Sequence, residues 1–232
     1  MPRVDLFSLP LAGLILFLFF LSVSFAELVL AFLLKERARK IIKPFCLFLL
    51  FLSLTFLSPS TKLIPLYVGL LLDMAGDVLL AVDEKGSKLF VVGAVFFLFG
   101  HFAYLAEAIW LYYGLFPVSY LAIWGGLYLV FWIGFFFPVR RMTHSLSLGL
   151  SGSFYLATLA SLMVLGFLFT GAVGARYGLY LAIGALFFLL SDLMIAARNY
   201  VKRIKRCEFY IMLTYLLGVG LVASSLSLSF LA

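Results

Sequence analysis

The sequence predicts an all-α membrane protein, a single domain over residues 1–232 built as a bundle of eight transmembrane helices with both termini outside. Three observations carry that reading. Hydrophobic residues make up 66% of the 232 and charged residues only 12%, against about 45–50% and about 25% in a soluble domain. Apolar runs of about 20 residues recur along the chain, the length a helix needs to cross a bilayer, and they lack the alternation of barrel strands. Basic residues also collect in every second loop, as the positive-inside rule requires of an even number of spans.

Taken in order, the apolar segments fall at residues 8–34, 41–57, 63–82, 89–113, 118–138, 145–171, 177–197 and 208–231. The first is long enough to tilt or to leave an interfacial end. It contains Ser24-Phe25-Ala26, a small-x-small triplet of the kind that signal cleavage uses, but the apolar stretch continues past it, so a retained helix is expected. The breaks are polar or turn-forming: KERARK, SPSTK, DEKGSK, YGLFP, VRRMTHS, GAVGAR and RNYVKRIKR. Of the 17 Lys and Arg, all but Arg3, Lys62 and Arg176 lie in the first, third, fifth and seventh breaks or at their edges. Those loops are therefore expected to face the cytoplasm from the cytoplasmic membrane. The same rule accounts for the basic runs, and no nucleic-acid partner is expected. Helices 3 and 7 share a pattern, a Gly followed eight positions on by an Asp preceded by a small residue, then an Ala (Gly69, Asp77, Ala81; Gly184, Asp192, Ala196), consistent with a parallel duplication of four helices.

Cys46 and Cys207 have no metal-like spacing and sit near the reducing face, so they are expected to be reduced packing residues. There is no nucleotide-binding loop, no zinc spacing and no Ser-His-Asp context; neither a cofactor nor a metal is expected.

The informative stretch is Gly69–Val82, where Asp73 and Asp77 lie one helical turn apart on one face of an apolar segment. An acid in the hydrocarbon region costs at least about 2.5 kcal/mol, so a pair there reads first as a functional site. Helix rise converts position into depth: Asp77 and Asp192 both lie ~9 Å from the basic end of their helices. Asp73, Glu27 and Tyr215 come out at ~15, ~12 and ~13 Å, in the same layer. His101, at ~20 Å, shares a face with Tyr104, and Lys43 stands near the inner interface, where it either snorkels or serves the site. Ser191 precedes Asp192 and could simply let helices approach. Glu107 is expected to be an interfacial charge near the outer surface. Two carboxyls at equal depth suit acid–base chemistry, because close pairs titrate apart, and they suit a proton or cation relay equally.

The motifs Lys43-Pro44, Leu72–Leu79 around Gly76-Asp77, Gly100-His101-Phe102-Ala103-Tyr104, and Gly184 through Ser191-Asp192 occur in this order across nearly the whole chain, and together they resemble the YhhN family of lysoplasmalogenases. The resemblance implies eight membrane helices and hydrolysis of the vinyl ether bond of a lysoplasmalogen, a lysophospholipid drawn from membrane lipid, to a fatty aldehyde and a glycerophospho-alcohol. It makes Asp77 and Asp192 the catalytic pair and places Lys43, His101, Tyr104, Ser191 and Tyr215 around the substrate, with Asp73 as an addition. It departs after Tyr215, where many relatives carry a Gln or His and this chain reads Leu-Leu-Gly-Val-Gly. The rival readings are an ion- or proton-coupled transporter, an intramembrane aspartyl protease and a non-catalytic lipid-binding protein. The protease reading lacks the Tyr-Asp and Pro-Ala-Leu elements that such enzymes carry.

Overall fold

In the computed structural model, residues 10–82, 88–112, 118–171, 175–201 and 206–231 are described, and all the long elements among them are helices. These are α1 (Leu11–Phe32), α2 (Glu36–Leu57), α3 (Ile64–Val82), α4 (Lys88–Tyr112), α5 (Val118–Thr143), α6 (Leu146–Phe169), α7 (Ala175–Tyr200) and α8 (Cys207–Leu231), with a 3₁₀ turn at Thr61–Leu63. All eight are long and apolar enough to cross a membrane. Arg3, Lys85, Lys202, Arg203 and Lys205 of the loop-charge pattern lie outside the described residues.

Several helices are longer than their apolar cores. The break at KERARK is shorter than its polar run: it falls at Leu33–Lys35 and α2 already begins at Glu36, because Glu, Arg, Ala and Lys are strong helix formers and a helix can project past the hydrocarbon. In the same way α5 runs through Pro138 to Thr143 and α7 runs to Tyr200. The two fully described turns at this basic end, Leu33–Lys35 and His144–Ser145, are correspondingly tight. Each holds a left-handed residue other than glycine, Leu34 (φ 58°) and His144 (φ 51°), and Arg206 (φ 56°) just before α8 is a third.

Sequence neighbours pair as antiparallel hairpins, α1 with α2, α3 with α4, α5 with α6 and α7 with α8. Contacts of α2 with α3, α4 with α6, α6 with α7 and α8 with α1 close these into a ring. Helix α8 also touches α2, α3 and α4, so it is the most central element, whereas α5 packs outside on α6 and buries none of its 122–143 span. Lipid gives no hydrophobic drive between helices, so close packing has to come from small residues. At the α7–α8 crossing a Cβ on Gly184 would lie 2.8 Å from the Val222 nitrogen and 3.0 Å from the Gly218 oxygen, a distance only two glycines permit.

Candidate functional site

On α3, Asp73 and Asp77 both turn inward and are fully buried. Each accepts a tyrosine hydroxyl from another helix. Tyr104 of α4 donates to Asp73 Oδ2 at 2.6 Å, and Tyr215 of α8 donates to Asp77 Oδ2 at 2.7 Å. The second oxygen of Asp77 faces Lys43 Nζ of α2 at 2.8 Å, so the lysine does not simply snorkel. Its ammonium also stands 5.6 Å from the centre of the Tyr215 ring. Across the bundle, Asp192 of α7 repeats the arrangement, its Oδ2 accepting the hydroxyl of Tyr155 from α6 at 2.8 Å. Three acids thus hold three tyrosines, with one lysine among them. Asp73, Asp77 and Asp192 lie within electrostatic reach of one another, and Lys43 reaches both Asp77 and Asp192. Full ionisation would leave two negative charges uncompensated in a buried site, so charge balance calls for bound protons or a cation.

His101 sits between the two sides of the site. Its ring centre is 4.6 Å from that of Phe188, 5.1 Å from Tyr155 and 6.4 Å from Tyr104. It is fully buried, and neither ring nitrogen has a hydrogen-bond partner. Asp73 Oδ1 is likewise unbonded. Ser191 is placed beside the pair, but its hydroxyl donates to the Ile211 carbonyl of α8 at 3.2 Å, a helix-to-helix tie.

Two acids singled out by position have structural partners. Glu27 of α1 binds Arg39 Nε of α2 at 2.9 Å, and Arg39 Nη2 continues to Glu208 of α8 at 3.2 Å, which also meets Arg198 of α7. Glu107 is not the interfacial charge its depth suggests. It is fully buried and accepts the Leu66 N–H at 3.2 Å, capping the first turn of α3, where Pro65 offers no donor of its own.

Sequence reading missed one site residue, for which position along the helix was the available signal. Tyr155 lies ten residues past Ser145, ~15 Å from the basic end and in the layer of Tyr215. It looks like aromatic filler until its hydroxyl is seen on Asp192. Asp192 and Tyr155 also line one end of a mostly apolar cavity of about 220 Å³ framed by α4, α5, α6 and α7. Asp192 is the acid of the three that keeps some exposed surface.

No curated protein and no solved structure matches this chain. The profile of the YhhN family matches residues 38–226, from the first turn of α2 to the last turns of α8, and the chain therefore belongs to the YhhN family.

Proposed function

We propose that this protein hydrolyses the vinyl ether bond of lysoplasmalogen-type lysophospholipids with Asp77 and Asp192 as its acid–base pair. The observation that supports this most is the contrast between the two aspartates. Asp77 has the Lys43 ammonium at ion-pair distance from Oδ1 and accepts the Tyr215 hydroxyl on Oδ2, so the group suits a carboxylate. Asp192 has one tyrosine donor on Oδ2, contacts no cation directly and faces the cavity, so Oδ1 is available to carry a proton toward a ligand.

The reaction uses that contrast. Asp192 protonates the vinyl carbon remote from oxygen, and the C=C electron pair becomes the new C–H bond, leaving an oxocarbenium ion on the adjacent carbon. The Asp77 carboxylate stabilises that cation, and water adds to it, giving up a proton to one of the two carboxylates. The resulting hemiacetal breaks its C–O bond to the glycerol oxygen, which takes the proton that the water gave up, while the hemiacetal hydroxyl returns its own proton to Asp192, and a fatty aldehyde and a glycerophospho-alcohol leave. One water is consumed and both aspartates return to their starting states.

The experiment is aldehyde release from lysoplasmenyl-ethanolamine and -choline by detergent-purified protein, with Asp77→Asn and Asp192→Asn in parallel. Aldehyde from wild type and from neither variant supports the reading. Aldehyde from all three removes these residues from the chemistry, and none from folded wild type removes the reaction. One observation favours a second reading, a proton- or cation-coupled carrier: the site holds more acids than a hydrolase needs, with Asp73 beside the pair. Proton-driven uptake into proteoliposomes without aldehyde release would favour it.

A further inference from the structure

The cavity beside Asp192 has a regular construction. Most of its lining comes from residues 90–98 of α4, 148–156 of α6 and 192–200 of α7, and Leu80 of α3 with Val139, Met142 and Thr143 of α5 complete it. Each stretch rises ~12 Å at 1.5 Å per residue. In all three the midpoint is a small residue: Ala94, Gly152 and Ala196. Helices α4 and α6 run away from the basic end and α7 runs back to it, so Gly152 lies about a turn nearer that end than Tyr155, and Ala196 about a turn nearer than Asp192. These small side chains leave the cavity its width, which larger ones would fill. The remaining lining is mostly hydrocarbon, with Thr143, Ser151 and Tyr200 among it, and Val91 and Val95 on the rim are 48% and 43% exposed, which opens the cavity sideways onto the lipid-facing surface.

We infer that this cavity is the seat of a single hydrocarbon chain, with the small lining residues Ala94, Gly152 and Ala196 setting its bore. The identity of the head group rests on the hydrolase reading above; the chain seat follows from the shape and lining of the cavity. A protein surrounded by lipid has an apolar cavity filled from the bilayer, and this one ends on the acid assigned to protonate the bond next to the chain. An extended carbon chain advances about 1.25 Å per bond, from a C–C bond of about 1.5 Å at a tetrahedral angle. The ~12 Å seat therefore covers about ten carbons, and the rest of a longer chain leaves between Val91 and Val95 into the membrane. Selection is thus expected to be weak beyond about ten carbons and to exclude a ring or branch near the head group.

Gly152 is the position to test. A Cβ there would meet only the Val139 side chain, at 3.0 Å, with no backbone in the way. Leucine is also a better helix former than glycine, so Gly152→Leu fills the bore without unseating α6. Ala94→Leu repeats the test from α4. The probe is a lysophosphatidylcholine with a diazirine at the eighth carbon of its chain, photolysed on the full-length protein in lipid nanodiscs and mapped by peptide mass spectrometry. The expected result is labelling within 90–98, 148–156 and 192–200 that falls by about tenfold or more in both variants, since crowding a packed site costs an occupant at least that much. Labels spread over the lipid-facing sides of α1 and α5, or cavity labels that neither substitution lowers, would overturn the inference. Aldehyde release from the same wild-type preparation separates the two claims. Cavity labelling without aldehyde leaves the seat and removes hydrolysis, whereas aldehyde without cavity labelling removes the seat alone.

Discussion

Replacing Tyr104, Tyr155 and Tyr215 one at a time by phenylalanine deletes the same O–H from three aspartates while keeping each ring in place. The structure gives the three deletions different costs. Tyr104 and Tyr215 donate at 2.6 and 2.7 Å to carboxyls with no exposed surface, so no solvent takes over the lost bond. A hydrogen bond to a charged group is worth about 1.5–3 kcal/mol. At roughly 2–4 °C per kcal/mol for a chain of this size, each of these two variants should lower the unfolding temperature by roughly 3–12 °C. Tyr155 donates to an acid that keeps some exposed surface, and its loss should cost only about 1 kcal/mol.

Activity should rank in a different order from stability. Asp192 loses its only tyrosine in Tyr155→Phe, and with it the orientation that leaves Oδ1 toward the ligand, so kcat for aldehyde release should fall by about 10- to 100-fold. Asp77 keeps Lys43 in Tyr215→Phe, and a fall of about tenfold is expected. Tyr104 serves Asp73, outside the proposed pair, so Tyr104→Phe should act mainly on KM and stability, with kcat within about threefold. Aldehyde production measured beside thermal unfolding in one detergent reads both scales. A kcat loss in Tyr104→Phe as large as that in Tyr155→Phe would refute the reasoning and bring Asp73 into the chemistry.

Three further expectations concern the frame. Arg39→Met leaves Glu27 buried without its cation and should destabilise by about 3–5 kcal/mol, with Glu27→Gln added in the double variant recovering most of the loss in thermal unfolding. Glu107→Ala uncaps α3 and should cost about 1 kcal/mol, read as a lower unfolding temperature and faster hydrogen exchange near Leu66. Leu34→Gly should stabilise by about 0.5–1 kcal/mol, because Leu34 is 62% exposed and holds a left-handed conformation at the C-terminus of α1, where the Lys35 N–H closes back to the Leu30 carbonyl.

The helices and the acid layer were legible because both follow from one-dimensional rules. Hydrophobic length marks a span, and a fixed rise per residue turns sequence position into depth, which is how Asp77 and Asp192 could be set at one level. Helix ends were less legible. Hydropathy falls where the membrane ends, whereas the helix of Glu36–Lys40 ends only where its backbone bonds do. Facing was not legible at all. Glu107 has the depth of an interfacial charge but points inward to cap α3, and Tyr155 has the composition of filler but points at Asp192. Direction around a helix matters in both cases, and an apolar run shows no amphipathic stripe from which to read it. The contact of α4 with α6, which helps close the ring and shape the cavity, joins segments that nothing in their own residues pairs.

The family match starts at residue 38, so α1 lies outside it, yet the site depends on α1 mechanically. Glu27 of α1 holds Arg39, and Arg39 stands four residues before Lys43, on the same face of α2. Rotation of α2 about its own axis moves both side chains together. The buried Glu27–Arg39 bond therefore fixes the angle at which Lys43 reaches Asp77, and the second arm of Arg39 on Glu208 ties that angle to α8, the helix that supplies Tyr215 to the same aspartate. Both donors on Asp77 are thus set by one arginine about a turn nearer the basic end. The ion network and the proposed catalytic pair are two levels of one structure, and α1, though outside the family match, closes it.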